Sequence, residues 1–345
     1  MDTDEFRPTR VVVAYPQHVS HLEWATRYQQ QLVPDAWPYG LNRLALEPAI
    51  ELIGCTVKRP SLANTIRASF VISHGSGGSD TTAMAWDEMT AIQMMGQIPA
   101  RTRMAGVIWA TDPATGFKDR VKRYLSLRAL KQLDGLWCLT KPQVEELEKL
   151  LGPDSPKIHH LPFGIDSDFF DFTPYPTTPL VVSAGGDRDR DMATLFEALE
   201  IVHVDNPGSE IIVQSSSNIE PPQGVTVIPR LSHSDLRQLY RRATVVAIAT
   251  RHNNHASGMT VGLEAAATGR PVVATRTPGM NEYVANEATG LLVQPGDSKG
   301  FADSITHLLR NPTLAAQYGR DGRKKVEAGH TTALMARRLA QILLS

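Results

Sequence analysis

Along most of the chain, short runs of β-branched and other apolar residues alternate with longer stretches whose apolar positions recur at helical spacing. Continuous apolar runs are the pattern of strands buried on both faces, and their alternation with helices predicts βαβ units built on parallel sheets. In the first half, residues 11–15, 70–73, 106–109 and 135–139 read as strands, with helices over 81–95 and 117–133. A proline-rich stretch at 172–179 then breaks the alternation. Proline removes a backbone donor and biases the residue before it toward extended backbone, so a linker is expected there. Beyond it, strands are predicted at 180–183, 211–213, 226–228, 245–248 and 271–274, and a closing helix at 331–344. The expected fold class is α/β, with two Rossmann-like domains facing each other across a cleft. They cover residues 1–172 and 173–325, and the C-terminal helix, within 326–345, packs back on the first.

Length agrees with this picture, since 345 residues is about twice the usual size of one domain. Hydrophobic residues at 42% and charged residues at 21% are ordinary for a globular protein and argue against long disorder. Lys+Arg 35 against Asp+Glu 36 leaves a net charge of −1, so no nucleic-acid partner is expected from whole-chain electrostatics. Cys55 and Cys138 have neither the number nor the spacing of a disulfide framework or a zinc site. The first ten residues are polar, and no later apolar run approaches the roughly 18 residues of a membrane span. A cytoplasmic protein with at most peripheral membrane contact is therefore expected.

The most informative stretch is 255–274: a loop, a short helix ended by Gly269, and a strand. The small residues Ser257 and Gly258 open that helix, leaving backbone N–H groups at its positive end where an anion can approach. Glu264 lies about two turns further on in an otherwise apolar helix, where an ionised carboxylate is costly unless something hydrogen-bonds it. A ribose diol would serve; so would solvent or an arginine. At 183–191 a strand gives way to a helix through Gly185-Gly186-Asp187-Arg188-Asp189-Arg190-Asp191. Arg188 and Arg190 have the planar fork that bonds two phosphate oxygens at once, unless they only pair with the neighbouring aspartates. The Asp-x-Asp spacing also fits a divalent cation, but the interleaved arginines already supply positive charge, so no metal or other cofactor is expected. The glycine pair is not the Gly-x-Gly-x-x-Gly fingerprint of dinucleotide binding.

Residues 255–274 resemble the family-4 glycosyltransferases of GT-B architecture, whose second domain carries a Glu, seven residues, then Glu-Ala, followed by Gly-x-Pro-Val-Val-Ala. Here Glu264-Ala265 and Gly269-Arg270-Pro271-Val272-Val273-Ala274 match, and the likeness continues through 277–282 and 289–297. Residues 161–170 resemble the family's interdomain signature, and Ile228-Pro229-Arg230-Leu231 with 234–242 the strand end and helix beside the nucleotide base. The resemblance spans about 135–325. It implies transfer of a hexose-type sugar, with retention and without metal, from a nucleotide-diphosphate sugar to a glycan, a glycolipid or another small-molecule acceptor. Arg188 and Arg190 would meet the diphosphate beside Gly186 and the amides of Ser257, Gly258, Met259 and Thr260. Glu264 would hold the ribose, and Arg230 and Leu231 would border the base.

The departures from the family concern the sugar and the acceptor. Ala256 stands where the family has its first Glu, leaving His255 or Ser257 as candidates to take that place at the hexose. The glycine-rich turn after the first strand is replaced by Tyr15-Pro16-Gln17-His18-Val19-Ser20-His21, and the family's cleft His falls at Thr111 or Asp112. In the first half, 73–79 should lie at the carboxyl edge of the sheet. There His74 and Gly75 meet phosphate or acceptor, or form a plain Gly/Ser turn. Asp112 and His74 are the general-base candidates. His18, Trp24 and Gly75 are the acceptor candidates, and Trp24, Tyr28, Trp37 and Tyr39 suit ring stacking as well as ordinary packing. Lys118, Arg120, Lys122, Arg123, Arg128 and Lys131 crowd helix 117–133 with Asp119 its only acid. That helix suits an anionic membrane if the acceptor is a lipid, but without a strong aromatic anchor a solvated face is preferred. A sugar-nucleotide epimerase or hydrolase, or an inactive nucleotide-sugar-binding subunit, are the alternatives on the same scaffold.

Overall fold

The computed structural model describes residues 7–59, 80–114 and 116–345. The strand expected at 70–73 and the turn carrying His74 and Gly75 lie outside them. The described residues form two compact units. One gathers the chain up to Thr26 with Ala36–Pro162 and Ala333–Ser345; the other gathers Arg27–Asp35 and Phe163–Thr332.

The first unit is built from β1 (Thr9–Pro16), the start of α1 (His21–Gln29), a 3-10 segment (Pro38–Leu46), β2 (Ile50–Val57), β3 (Thr81–Ala85), α2 (Glu88–Met95), β4 (Thr102–Gly106), α3 (Phe117–Leu130), β5 (Gly135–Cys138), α4 (Lys141–Leu151) and β6 (Lys157–His160). Its strands form one parallel sheet in the order β2-β1-β3-β4-β5-β6. Val12, Ala83, Ala105 and Leu136 from neighbouring strands pack with Ile92, Leu130 and Leu147 from three helices.

Two expectations are corrected here. Residues 81–85, read as the start of a helix, are strand β3, buried throughout and paired on both sides. The helix begins only at Glu88, because the Asp87 carboxylate accepts the N–H groups of Met89 (3.0 Å) and Thr90 (2.9 Å) and caps it. The strand placed at 106–109 lies earlier, at Thr102–Gly106, where half-buried Thr102 and Arg103 interrupted the apolar signal. The edge strands β2, where Glu51, Gly54 and Thr56 break the apolar run, and β6, which is mostly polar, carried no such signal, since an edge strand need not be apolar on both faces.

The second unit contains β7 (Leu180–Ser183), α5 (Met192–Asp205), β8 (Glu210–Gln214), β9 (Thr226–Ile228), α6 (His233–Arg242), β10 (Val245–Ile248), α7 (Met259–Ala267), β11 (Val272–Thr275), α8 (Met280–Tyr283), β12 (Gly290–Val293), α9 (Ser298–Arg310) and α10 (Pro312–Gly329). The closing helix α11 is Thr332–Leu343. The second sheet is parallel, in the order β12-β11-β10-β7-β8-β9. Val181, Val213 and Ala247 pack with Leu195, Phe301 and Ile305 in its core.

Two arginines, buried Arg270 and half-buried Arg323, tie the segment entering this unit to its helices. Arg323 Nη1 donates to the carbonyls of Ser167 (2.9 Å), Phe170 (3.1 Å) and Ala267 (3.0 Å), and Arg270 Nη2 to those of Thr173 and Pro174 (both 3.0 Å). From β7 the chain runs outward to β8 and β9, then returns to place β10 on the other side of β7. The loops after β7 and β10 thus flank the topological switch point, where open parallel sheets bind ligands at their carboxyl ends.

Candidate active site

The loop after β7 is zipped to the segment after β10. Asp191 N–H donates to Ala249 O (3.0 Å) and Arg251 N–H to Asp189 O (2.8 Å). Asp191 also caps α5, its carboxylate accepting from Thr194 N–H (3.2 Å) and Thr194 Oγ1 (2.7 Å). This pairing fixes Arg190 in the interior, 8% exposed, where Nη2 donates to Ser183 Oγ at 2.6 Å. Its Nε and Nη1 have no acceptor among the described residues. Burial lowers the guanidinium pKa to about 10, still far above neutrality, so the charge persists. A buried cation with two nitrogens unsatisfied is costly, and an anion would relieve the cost.

The opening of α7 lies next to it. Gly258 caps the helix at φ +89°, a conformation that favours glycine. A Cβ there would strike Ile248 Cγ2 and stand 3.9 Å from Arg190 Nη1. Of the expected anion-binding amides, two are already used. Ser257 N–H donates to Asn253 Oδ1 (2.9 Å) and Met259 N–H to Ala256 O (3.0 Å). The amides of Gly258 and Thr260 have no partner among the described residues and complete the cradle with Arg190.

The two arginines that look alike in sequence differ here. Arg188 is exposed in the loop, with Nε 3.3 Å from Asp189 Oδ2, beside exposed Gly186. Arg190 makes no ion pair among the described residues. Buried His255 has Nε2 3.5 Å from Asp187 Oδ2 and 3.7 Å from Asp189 Oδ2. Burial pushes the Asp187 carboxyl up, but His255 and the Asp189 amide (3.0 Å) outweigh it and hold it at about 2. Ala256, at the position where the resemblance places a glutamate, is fully buried with φ +50°, in left-handed backbone.

Glu264 is buried, 6% exposed, and its partner is neither solvent nor arginine but Tyr240, whose hydroxyl donates to Oε2 at 3.2 Å. Burial lifts the Glu264 carboxyl to about 8. Tyr240 was missed by sequence reasoning; its only signal is its place on α6, the helix the resemblance sets beside the base. Arg230 is exposed after β9, and Leu231 N–H donates to Gln214 Oε1 at 3.0 Å. His233 follows, its pKa lowered to about 4 by burial, Arg27 and Arg230.

In the first unit, exposed His18 follows β1 and half-buried Trp24 lies on α1. Trp37 packs edge-on against Tyr15 and His21, whereas Tyr39, 45% exposed, stacks on Trp86 with ring centroids 4.7 Å apart. Thr111 and Asp112 sit on a loop pinned by three side chains that no sequence signal identified. Glu88 accepts the N–H groups of Ile108 (3.0 Å) and Trp109 (2.8 Å). Gln143 Nε2 donates to Ile108 O (2.8 Å) and Thr111 Oγ1 (3.2 Å), and Arg123 Nε to Ala110 O (2.9 Å).

Two six-stranded parallel sheets with flanking helices are the Rossmann-like halves of the GT-B glycosyltransferase fold. Sucrose-phosphate synthase from Thermosynechococcus elongatus superposes with a TM-score of 0.69 at 16% identity, covering 97% of this chain and 98% of that one. HepE from Anabaena, solved with UDP and glucose, gives 0.69 at 12% identity over 97% and 99%. At such identities the likeness is one of fold.

Residues 195–325 match the family model for glycosyl transferases group 1. The chain is 27% identical over 250 residues to the GDP-mannose-dependent monoacylated alpha-(1-6)-phosphatidylinositol monomannoside mannosyltransferase of Corynebacterium glutamicum, covering 64% of this chain and 65% of the relative. It is 34% identical over 118 residues to D-inositol 3-phosphate glycosyltransferase of Saccharomonospora viridis, covering 34% and 25%. Glycogen synthase of Mycobacterium tuberculosis is 23% identical over 231 residues, covering 63% and 55%. The chain thus spans between 25% and 65% of the length of these curated relatives.

Among the described residues no helix is long and apolar enough to cross a membrane.

Proposed function

We propose that this chain is a family-4 glycosyltransferase that moves a hexose-type sugar, with retention and without a metal ion, from a nucleotide-diphosphate sugar to a carbohydrate, lipid-linked or small-molecule acceptor. The observation that carries the reading is buried Arg190, two of its nitrogens unpartnered, at the glycine-capped opening of α7 and at the switch point of a parallel sheet. Arg190 and the Gly258 and Thr260 amides stabilise charge developing on the departing diphosphate, with Arg188 at the loop surface. Such preorganised electrostatic stabilisation is often the largest catalytic contribution. Glu264, held by Tyr240, accepts from the ribose hydroxyls, and Arg230 and Leu231 border the base. Asp112, on its pinned loop, is the base candidate; a substitution that leaves kcat intact removes it from that role. The protein works in the cytoplasm.

The names of the relatives leave the donor base open, one being GDP-mannose-dependent and one neighbour having been solved with UDP. A thermal-shift panel of UDP, GDP, dTDP and ADP with their sugars, on wild type, Arg190→Ala and Glu264→Ala, tests the reading. Stabilisation by one nucleotide, lost in both variants, supports it and names the base. No shift with any nucleotide at millimolar concentration sinks it. Free sugar or an isomer formed without acceptor points instead to a hydrolase or epimerase.

A further inference from the structure

We infer that the outer face of α3 is a docking surface for an anionic lipid bilayer. The apolar packing of the helix is confined to its second half. Ser126, Ala129 and Leu130 are its buried residues, and Ala129 and Leu130 join the core. Before Ser126 nothing on it is buried, and three large apolar side chains are in solvent: Phe117 (75% exposed), Val121 (43%) and Tyr124 (56%). At 3.6 residues per turn these three and Arg128 fall within about 60° of one another, on the side opposite Ser126 and Leu130. They are therefore a coherent outward stripe. Phe117 and Tyr124 supply an aromatic anchor beside the charges, one at the start of the stripe and one a turn before its end.

The flanks of the stripe are basic. Lys118 lies on one side and Arg120 and Lys131 on the other, all exposed, with Asp119 the only acid of the helix. Arg128, whose guanidinium lies 5.9 Å over the Tyr124 ring, continues the stripe. Apolar and aromatic side chains centred between lysines and arginines fit the interface of a bilayer, with rings at headgroup depth and cations among anionic headgroups. Charge complementarity selects this occupant: an apolar strip alone would suit any hydrophobic partner, and a basic strip alone would suit any polyanion. The net charge of −1 shows that the basic excess is local. The surface stands independently of the transferase reading, since binding is measured without donor or acceptor.

The test is cosedimentation of the full chain with vesicles of phosphatidylcholine alone and of phosphatidylcholine with phosphatidylglycerol. The wild type should pellet with the anionic vesicles, stay in solution with the neutral ones, and be released by salt. The pair Lys118→Glu and Arg120→Glu should weaken binding at least about tenfold, each basic residue near an anionic surface being worth about fivefold. The pair Phe117→Ser and Tyr124→Ser should lower affinity at every salt concentration, because the apolar part is not screened. All four side chains are exposed, so the thermal midpoint should stay at the wild-type value. Wild type that ignores anionic vesicles, or variants that bind as it does, would overturn the inference. So would concentration-dependent self-association abolished by Phe117→Ser, which would assign the stripe to a second copy of the chain.

Discussion

Replacing Glu264 by glutamine keeps the shape of the side chain and an oxygen to accept the Tyr240 hydroxyl, while removing the titration. Burial lifts the native carboxyl from the ordinary 4.5 to about 8. Between those values the folded protein holds a proton that the unfolded chain has released. This contribution to stability is therefore fully present below the unfolded pKa and is lost as pH rises toward the folded one. At about 1.4 kcal/mol per pKa unit, and with roughly 2.5 units between the unfolded value and pH 7, the wild type gives up about 3 kcal/mol by neutrality. Glutamine gives up none of it. Unfolding followed by calorimetry or urea from about pH 5 to about pH 8 should show Glu264→Gln gaining on wild type by about 1 kcal/mol per unit, roughly 2–4 °C each. The same variant should bind nucleotide more weakly above about pH 8, where the native group is an ionised carboxylate with two acceptor oxygens and the amide offers the ribose one. A stability difference that stays flat with pH, or a variant less stable than wild type near pH 8, would refute a desolvated, protonated Glu264.

Arg190→Ala should cost about 2–3 kcal/mol of nucleotide-diphosphate affinity by titration calorimetry, yet leave the ligand-free protein no less stable, because the lost cation was buried and mostly unpartnered. Lower stability with undiminished affinity would make Arg190 structural. Arg188→Ala should change urea stability by less than about 1 kcal/mol, its guanidinium being exposed. Gly258→Ala forces a side chain into left-handed backbone against Ile248 and should cost about 1–3 kcal/mol of stability; a neutral result would mean the turn can relax. Glu88→Ala strands the Ile108 and Trp109 amides, so kcat should fall more than donor KM rises if the loop presents Asp112; equal changes would place the loop outside the reaction.

The alternation of apolar runs with helical stretches determined the doubly wound architecture. The interior strands of the second sheet were read from it within a residue or so, because a strand covered on both faces must be apolar throughout. The helix-opening glycine at 258 and the C-terminal glycine at 269 were equally legible, since each marks a turn that an ordinary side chain resists. Edge strands β2 and β6 were not, and β3 passed for helix because Thr-Thr-Ala-Met-Ala carries no periodicity of its own. What only the tertiary structure decided is which of several chemically equivalent residues is buried, and beside what. Arg188 and Arg190 share the same aspartates in sequence, yet zipping the loop against 249–251 leaves one in water and buries the other against Ser183. The glutamate's tyrosine partner, the three side chains holding the Asp112 loop and the outward stripe of α3 come from separate elements or from the absence of a neighbour. Burial and long-range hydrogen bonding are properties of the assembled layers, so they leave no local pattern in the sequence to read.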